Sequence, residues 1–221
     1  MRWTAKGMSS QPSPSVGLQG PLIPVRPKSF PTDARIRAYT VQDRAACLGL
    51  YDANEAGRFP AGARVLYEQF LVDPKYLKLV CCIEDELVAV GGIGQTLSLF
   101  SNDVWLVFGL VKPTHHGRGI GTTMLLSRLA TLQRPQTLVH VQLSTVPTSA
   151  SFLARFGFTY QGQIAASPNV APVDLQSALL DAEGWDTCRS MIQAVGIDLA
   201  ILPTIPTIDF WADLRNPGRA K

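Results

Sequence analysis

The segment VKPTHHGRGIGTTM, residues 111–124, sets Gly117, Gly119 and Gly121 within five positions. His115 and His116 precede them, and an apolar run follows. Glycines so spaced permit positive φ and remove side chains that would keep an anion at a distance. A helix opening at such a turn presents amides with no intrahelical partner, and its dipole adds partial positive charge. The chemistry on offer is phosphate binding at a strand–loop–helix junction. Arg118 adds charge, and Thr122 and Thr123 add hydroxyl donors.

Two familiar phosphate loops do not fit. A Walker loop, GxxxxGK[ST], needs a lysine for the terminal phosphates, and this segment has none after its glycines. A dinucleotide fingerprint needs GxGxxG and an acid about 20 residues on. Here the spacing is GxGxG, and the next strand candidate, QTLVHVQLST, carries no acid.

The elements around the loop must hold it in place. NDVWLVFGLVKP, rich in β-branched and aromatic residues, predicts the strand before it. IGTTMLLSRLATLQ predicts the helix after it, with Ile120, Met124, Leu125, Leu129 and Leu132 on one face. Upstream, ARIRAYT reads as a strand and VQDRAACLGLYDAN as a helix with Thr40 as N-cap. PAGARVLYEQFLVD reads as a second helix, ended at Asp73-Pro74. YLKLVCCIE, the turn EDE and LVAVGGIGQTLSLF predict an antiparallel hairpin. Downstream come the strand QTLVHVQLST, the short helix PTSASFLARFG stopped by Gly157, and the strand FTYQGQIAA. PVDLQSALLDAEGWDTCRSMIQAVG predicts two helices broken near Gly184, and IDLAILPTIPTIDFW a last strand with irregular chain. The fold class is α/β: a mixed, mostly antiparallel central sheet with helices on both faces, plus a C-terminal helical addition.

The loop V-x-P-x-x-[R/Q]-G-x-G-x-G, running here from Val111 through Pro113 and His116 to Gly121, resembles the pyrophosphate loop of the GNAT superfamily of acyl-CoA N-acyltransferases. SFLARFGF resembles a second motif of that family, A-x-x-F-Y-x-x-x-G-F, at Ser149, Phe152, Leu153, Gly157 and Phe158. The resemblance covers roughly residues 35 to 165 and includes the order of elements. It implies a GNAT-like fold and acetyl-CoA as co-substrate, with no metal. The diphosphate would lie on the amides from Gly117 through Arg118, Gly119, Ile120 and Gly121 to Thr122, with His116, Ser149 and Phe152 beside it. The pantetheine would run along Leu110 and Val111, and Gly109 would be a bulge in that strand. Three positions depart from the family pattern. His116 stands where Arg or Gln is usual, Leu153 where a Tyr often protonates the leaving thiolate, and Val146 near a usual Asn.

The resemblance makes Asp103 a candidate base, against its other reading as a turn residue in SND. Ser144 ends a strand near the expected cleft and is the second catalytic candidate, although such hydroxyls also satisfy backbone. Trp105 shares a face with Asp103 and is a candidate for the acceptor site, as are Tyr51 and Glu55, with Asp52 and Arg58 beside them. His140 reads as a core histidine.

The whole chain sets the limits. Its 221 residues are 46% apolar, enough for a buried core. Residues 1 to about 32 read as a disordered or loosely packed Pro/Ser-rich arm. It holds Arg2, Lys6, Arg26 and Lys28 with no acid before Asp33, so the surplus behind the net charge of +3 lies there and the rest is close to neutral. Residues 33–221 read as one acyltransferase-like domain, with the motif-bearing core at about 35–165 and the addition at about 168–221. No basic stripe suggests nucleic acid, and no apolar run reaches membrane-spanning length. Cys47, Cys81, Cys82 and Cys188 lack zinc or CxxC spacing and read as free thiols. A cytoplasmic N-acetyltransferase acting on a small-molecule or peptide amine is expected, with the C-terminal addition as the surface a homodimer would use. The alternative is a non-catalytic acyl-CoA-binding or protein-interaction module on the same scaffold.

Overall fold

The computed structural model describes residues 19–55, 59–97, 102–164, 171–205 and 207–209. Strand β1 (Ala34–Ala38) leads through a 3₁₀ turn at Val41–Asp43 into α1 (Arg44–Glu55). Thr40 stands at the N-cap of that turn, and Asp43 makes the side-chain bond: its carboxylate accepts the Thr40 N–H at 2.8 Å. Arg37 of β1 grips the same carboxylate with two bonds of 2.7 and 2.8 Å, tying strand to helix. α2 (Ala63–Val72) ends at Asp73, ahead of Pro74, as predicted.

β2 (Leu77–Ile83), β3 (Glu86–Leu97) and β4 (Asn102–Val111) follow, then α3 (Ile120–Ala130), β5 (Val139–Thr145), α4 (Pro147–Ala154) and β6 (Thr159–Ile164). β7 (Val173–Leu180), α5 (Ala182–Gln193) and the short β8 (Thr207–Asp209) complete the described chain. The sheet order is β1-β2-β3-β4-β5-β7-β6. All neighbours in that order are antiparallel except β4 and β5, which are parallel. β8 adds parallel to β3 at Gln95–Leu97, beyond the point where β2 pairing ends at Ile93. The mixed, mostly antiparallel sheet with helices on both faces matches the expectation.

The stretch after residue 170 differs from its prediction as two helices. Its first half is strand β7, inserted between β5 and β6, and its second half is one helix running through Gly184. Leu, Gln and Ala favour helix locally, but propensity is weak against an unpaired sheet edge. β5 supplies that edge, and Gln176, Ser177 and Ala178 are buried on it. Asp181 caps α5, its side chain accepting the Gly184 N–H at 2.7 Å.

Two cores flank the sheet. α3, α4 and α5 share one with Ile36, Val104, Leu106 and Val141. α1 and α2 share the other with Val80, Val90 and Leu110. Nearly every residue of α3 is buried, because α5 covers its outer side. Leu126 and Leu129 are fully enclosed there, worth roughly 1.5–3 kcal/mol each. The cysteines are free. Cys81 and Cys82 serve opposite cores, as their adjacency predicts, and burial pushes the thiols of Cys47, Cys81 and Cys188 up to about 12.

The described end of the N-terminal arm lies against the domain. Leu22 donates to the Leu179 carbonyl at 2.6 Å, and Leu179 donates to Gly20 at 3.0 Å. This uses the side of β7 that β6 leaves after Ser177. Leu22 enters the larger core and Pro27 is buried. Among the described residues, no helix is long and apolar enough to cross a membrane.

Candidate active site

Two departures from a regular ladder open the sheet beside β4. The first is a bulge. Val90 of β3 pairs with Leu110 and Gly92 pairs with Val107, so β4 carries one extra residue between them. Gly109 is the predicted bulge residue; the bulge is there, but the left-handed conformation falls on Phe108, at φ 45°. That conformation costs a non-glycine residue roughly 1–2 kcal/mol. The Phe108 ring offsets it by packing on Tyr67 at 5.1 Å and Phe70 at 5.2 Å. The bulge also reverses the facing of side chains. Before it, Val104 and Leu106 face α3; after it, Leu110 faces α1 and α2.

The second departure is that β4 and β5 part. Their parallel pairing runs from Asp103–His140 only to Leu106–Leu143. Beyond it β4 continues to Val111 and β5 to Thr145 with no ladder between them. Backbone groups left unpaired in this way need other partners. A cavity of about 950 Å³ fills the opening. Val107–Val111 form one wall and Leu143–Val146 the other, with the start of α3 and Phe152 of α4 at its end.

The glycine loop closes that end. After Lys112 extends β4 by donating to Val88 at 2.8 Å, a 3₁₀ turn at Pro113–His115 leads to Gly117 and Gly119, both at φ 77°. Nothing lies within 4 Å of where a Cβ on Gly117 would stand. The first intrahelical bond of α3 runs from Thr123 N–H to the Gly119 carbonyl at 3.0 Å. The amides of Ile120, Gly121 and Thr122 therefore start the helix without acceptors in it. The His116 ring bonds the Val111 carbonyl at 2.9 Å; a carbonyl only accepts, so Nε2 carries the proton. The arm crosses this loop. The Ser29 carbonyl oxygen occupies the point where a Cβ on Gly119 would stand, and Lys28 joins the cavity wall.

The sequence candidates fall into two groups. Leu110, Val111, His116, Gly117, Gly119, Gly121, Thr122, Ser149 and Phe152 all line the cavity, as do Trp105 and Ser144. Arg118 is exposed beside the loop, and Ile120 points into the core at 1% exposure. Asp103 is not brought to the cavity. It lies four positions before Val107, roughly 13 Å along the strand, where it accepts from Gln142 at 3.1 Å and faces His140 at 3.5 Å. Tyr51 is also apart: its ring stacks between Phe59 and Tyr67 at 4.7 and 4.9 Å within the second core. Asp52 pairs with Arg64. Glu55 ends α1 with its side chain outside the described residues, as is Arg58. Among the described residues no group of three His, Cys, Asp or Glu side chains converges to hold a metal.

The profile of the acetyltransferase (GNAT) family matches residues 42–158, more than half of the chain. The chain belongs to the GNAT acetyltransferase family. It is therefore an enzyme of acyl transfer to amines, in a family that uses acetyl-CoA. Solved structures agree on the fold. A GNAT-family protein from Desulfovibrio desulfuricans superposes with a TM-score of 0.51 at 15% identity, over 67% of this chain and 99% of that one. An N-acyl amino acid synthase from uncultured soil microbes gives 0.51 at 15% identity, over 70% and 93%. A glucosamine N-acetyltransferase region of a fungal multi-domain β-N-acetylglucosaminidase gives 0.50 at 16%, over 59% and 17%. No curated protein sequence matches the chain.

In this GNAT chain several cavity residues were not legible as such in the sequence. Asn54, Phe70 and Tyr76 line the side under α1 and α2. Burial raises the Tyr76 phenol above its ordinary value, so it stays protonated. Leu153, at the usual Tyr position, lines the cavity with an apolar side chain at 5% exposure. Arg128 lines it too, although it is buried. Its signal was present: Arg128 is four residues after Met124, on the apolar stripe of α3.

Proposed function

We propose that the protein transfers a short acyl group, acetyl in the simplest case, from acyl-coenzyme A to an amine by direct attack in the opening between β4 and β5. The observation that carries this is the continuity of that opening with the glycine loop: one cavity runs from the bulge at Phe108–Gly109 to Gly117–Thr122. The loop fits a diphosphate. Gly117 leaves open space, the amides of Ile120, Gly121 and Thr122 have no helical acceptors, and Lys28 and Arg118 add positive charge. The stretch of β4 beyond Leu106, which has no β5 ladder beside it, can pair with the amide groups of a pantetheine around Leu110 and Val111, as an added strand would.

A bound acyl thioester supplies an electrophilic carbonyl and a thiolate leaving group. The chain supplies position and surroundings. The bulge exposes backbone at Phe108–Gly109 toward the opening, and parted strands let an amine approach from the side under α1 and α2. Trp105 walls that approach. Ser144 and Ser149 hold hydroxyls at the other wall, in place of the phenol that Leu153 lacks. The acceptor is a small-molecule or peptide amine. Reduced, buried thiols suit a cytoplasmic setting.

Calorimetric titration with coenzyme A and thiol release from acetyl-CoA across an amine panel test the proposal. Binding together with turnover well above hydrolysis is expected. Binding without turnover on any amine favours the second reading, a non-catalytic acyl-CoA-binding module, which the apolar Leu153 motivates. Failure to bind coenzyme A removes both.

A further inference from the structure

Arg128 sits in the third turn of α3 at 6% exposure, with no carboxylate within ion-pair distance among the described residues. Its Nε bonds the Met124 carbonyl and its Nη1 the Gly92 carbonyl, both at 3.2 Å. These are neutral acceptors, and burial with no opposing charge pulls the guanidinium down to about 10. The strands are shaped around it. A Cβ on Gly91 would stand 3.1 Å from Cζ and Nε, and one on Gly109 would stand 3.1 Å from Nη2. Two glycines facing α3, one on each side of the bulge, thus make a recess that a guanidinium fills. No acceptor is bonded to Nη2 among the described residues, and the group borders the cavity beside Gly109.

A buried charge of this kind is stable only when paired, and Arg cannot shed its proton as Lys can. Satisfying one bulge carbonyl does not require a permanent cation. We propose that Arg128 is the counter-charge for a carboxylate at the far end of the donor's acyl group, so that the preferred donor is the CoA thioester of a short dicarboxylic acid. This rests on the reading that the donor occupies the β4–β5 opening. The donor is assigned rather than the acceptor because Arg128 lies on the α3 side, with Gly121 and Phe152. Asn54, Phe70 and Tyr76 lie on the opposite side of the sheet. The guanidinium adjoins Gly109, one residue from Leu110 and its expected pantetheine partner. The reaction is unchanged in its bonds. The amine nitrogen joins the thioester carbon, the C–S bond breaks with its electron pair on sulfur, and the amine's proton is taken up by the thiolate. The distal carboxylate stays ionised throughout.

The test is calorimetric titration of the full chain with coenzyme A, acetyl-CoA, butyryl-CoA and succinyl-CoA. Butyryl and succinyl groups have the same chain length and differ in methyl against carboxylate. Succinyl-CoA is expected to bind at least tenfold tighter than butyryl-CoA. Arg128→Leu is expected to erase that difference while still binding coenzyme A, and Arg128→Lys to keep part of it. Equal or weaker binding of succinyl-CoA by the wild-type chain overturns the proposal alone, without any variant. Failure of every CoA species to bind removes the donor reading and this inference with it.

Discussion

The carbonyl oxygen of Ser29 stands where a side chain on Gly119 would begin. The residue that opens α3 is thereby glycine for two independent reasons: its φ of 77° and the arm lying across it. A segment more than eighty residues away in sequence thus covers the glycine loop that opens α3.

Gly119→Ala should therefore abolish measurable coenzyme A binding, since it strains the loop and pushes the arm aside together. Loss of stability should be modest, about 1–2 kcal/mol. Titration calorimetry and urea unfolding read the two effects. Retained affinity would count against the loop assignment.

Lys28→Ala should weaken coenzyme A binding several-fold and reduce its dependence on salt, because one cation at the cavity wall is removed. Titrations at two salt concentrations check this. An unchanged dissociation constant at low salt would take the arm out of the site.

Asp103→Asn should leave turnover within about threefold of wild type. Its carboxylate is bonded to Gln142 and faces His140, roughly 13 Å along β4 from the bulge. A drop of a hundredfold or more in kcat would restore Asp103 as a base.

Gly92→Ala should destabilise the fold by about 1–3 kcal/mol through overpacking. The new methyl would meet the Phe70 ring and lie 2.8 Å from Val107 Cγ2, between β4 and α2. Chemical denaturation of the variant provides the number, and a neutral result would mean that α2 can shift.

Asp43 titrates low because Arg37 donates to it; its carboxyl is held at about 2 against an ordinary 3.8. A depressed folded pKa contributes stability above the unfolded value, and that contribution is lost as pH falls from about 4 to about 2. Asp43→Asn should lower stability at neutral pH and flatten the acid limb. Urea midpoints measured between pH 2 and 7 test it; parallel curves for both proteins would show that the pair is too solvent-screened to matter.

Much of the fold was legible because its signals are local. The Thr40 N-cap, the Pro74 stop, the apolar stripe of α3 and the Gly157 helix end each depend on neighbours in sequence. Val173–Leu180 was not legible, because its helix-favouring residues become strand only where β5 offers an edge. The site divides in the same way. His116, Gly117, Gly119 and Thr122 were readable as one motif. Arg128 left a trace, a charge on an apolar face, but its meaning depends on Gly91 and Gly109 from two other strands.

The sequence alone determined the family motif and the strand–loop–helix junction that carries it, since glycine spacing and a helix start act over a few residues. Only the tertiary structure decided where β4 and β5 part, that Phe108 rather than Gly109 takes the left-handed turn, and that Asp103 and Tyr51 stand apart from the cavity. Those facts come from pairing and packing between segments distant in the chain, and no local preference of the residues involved specifies them.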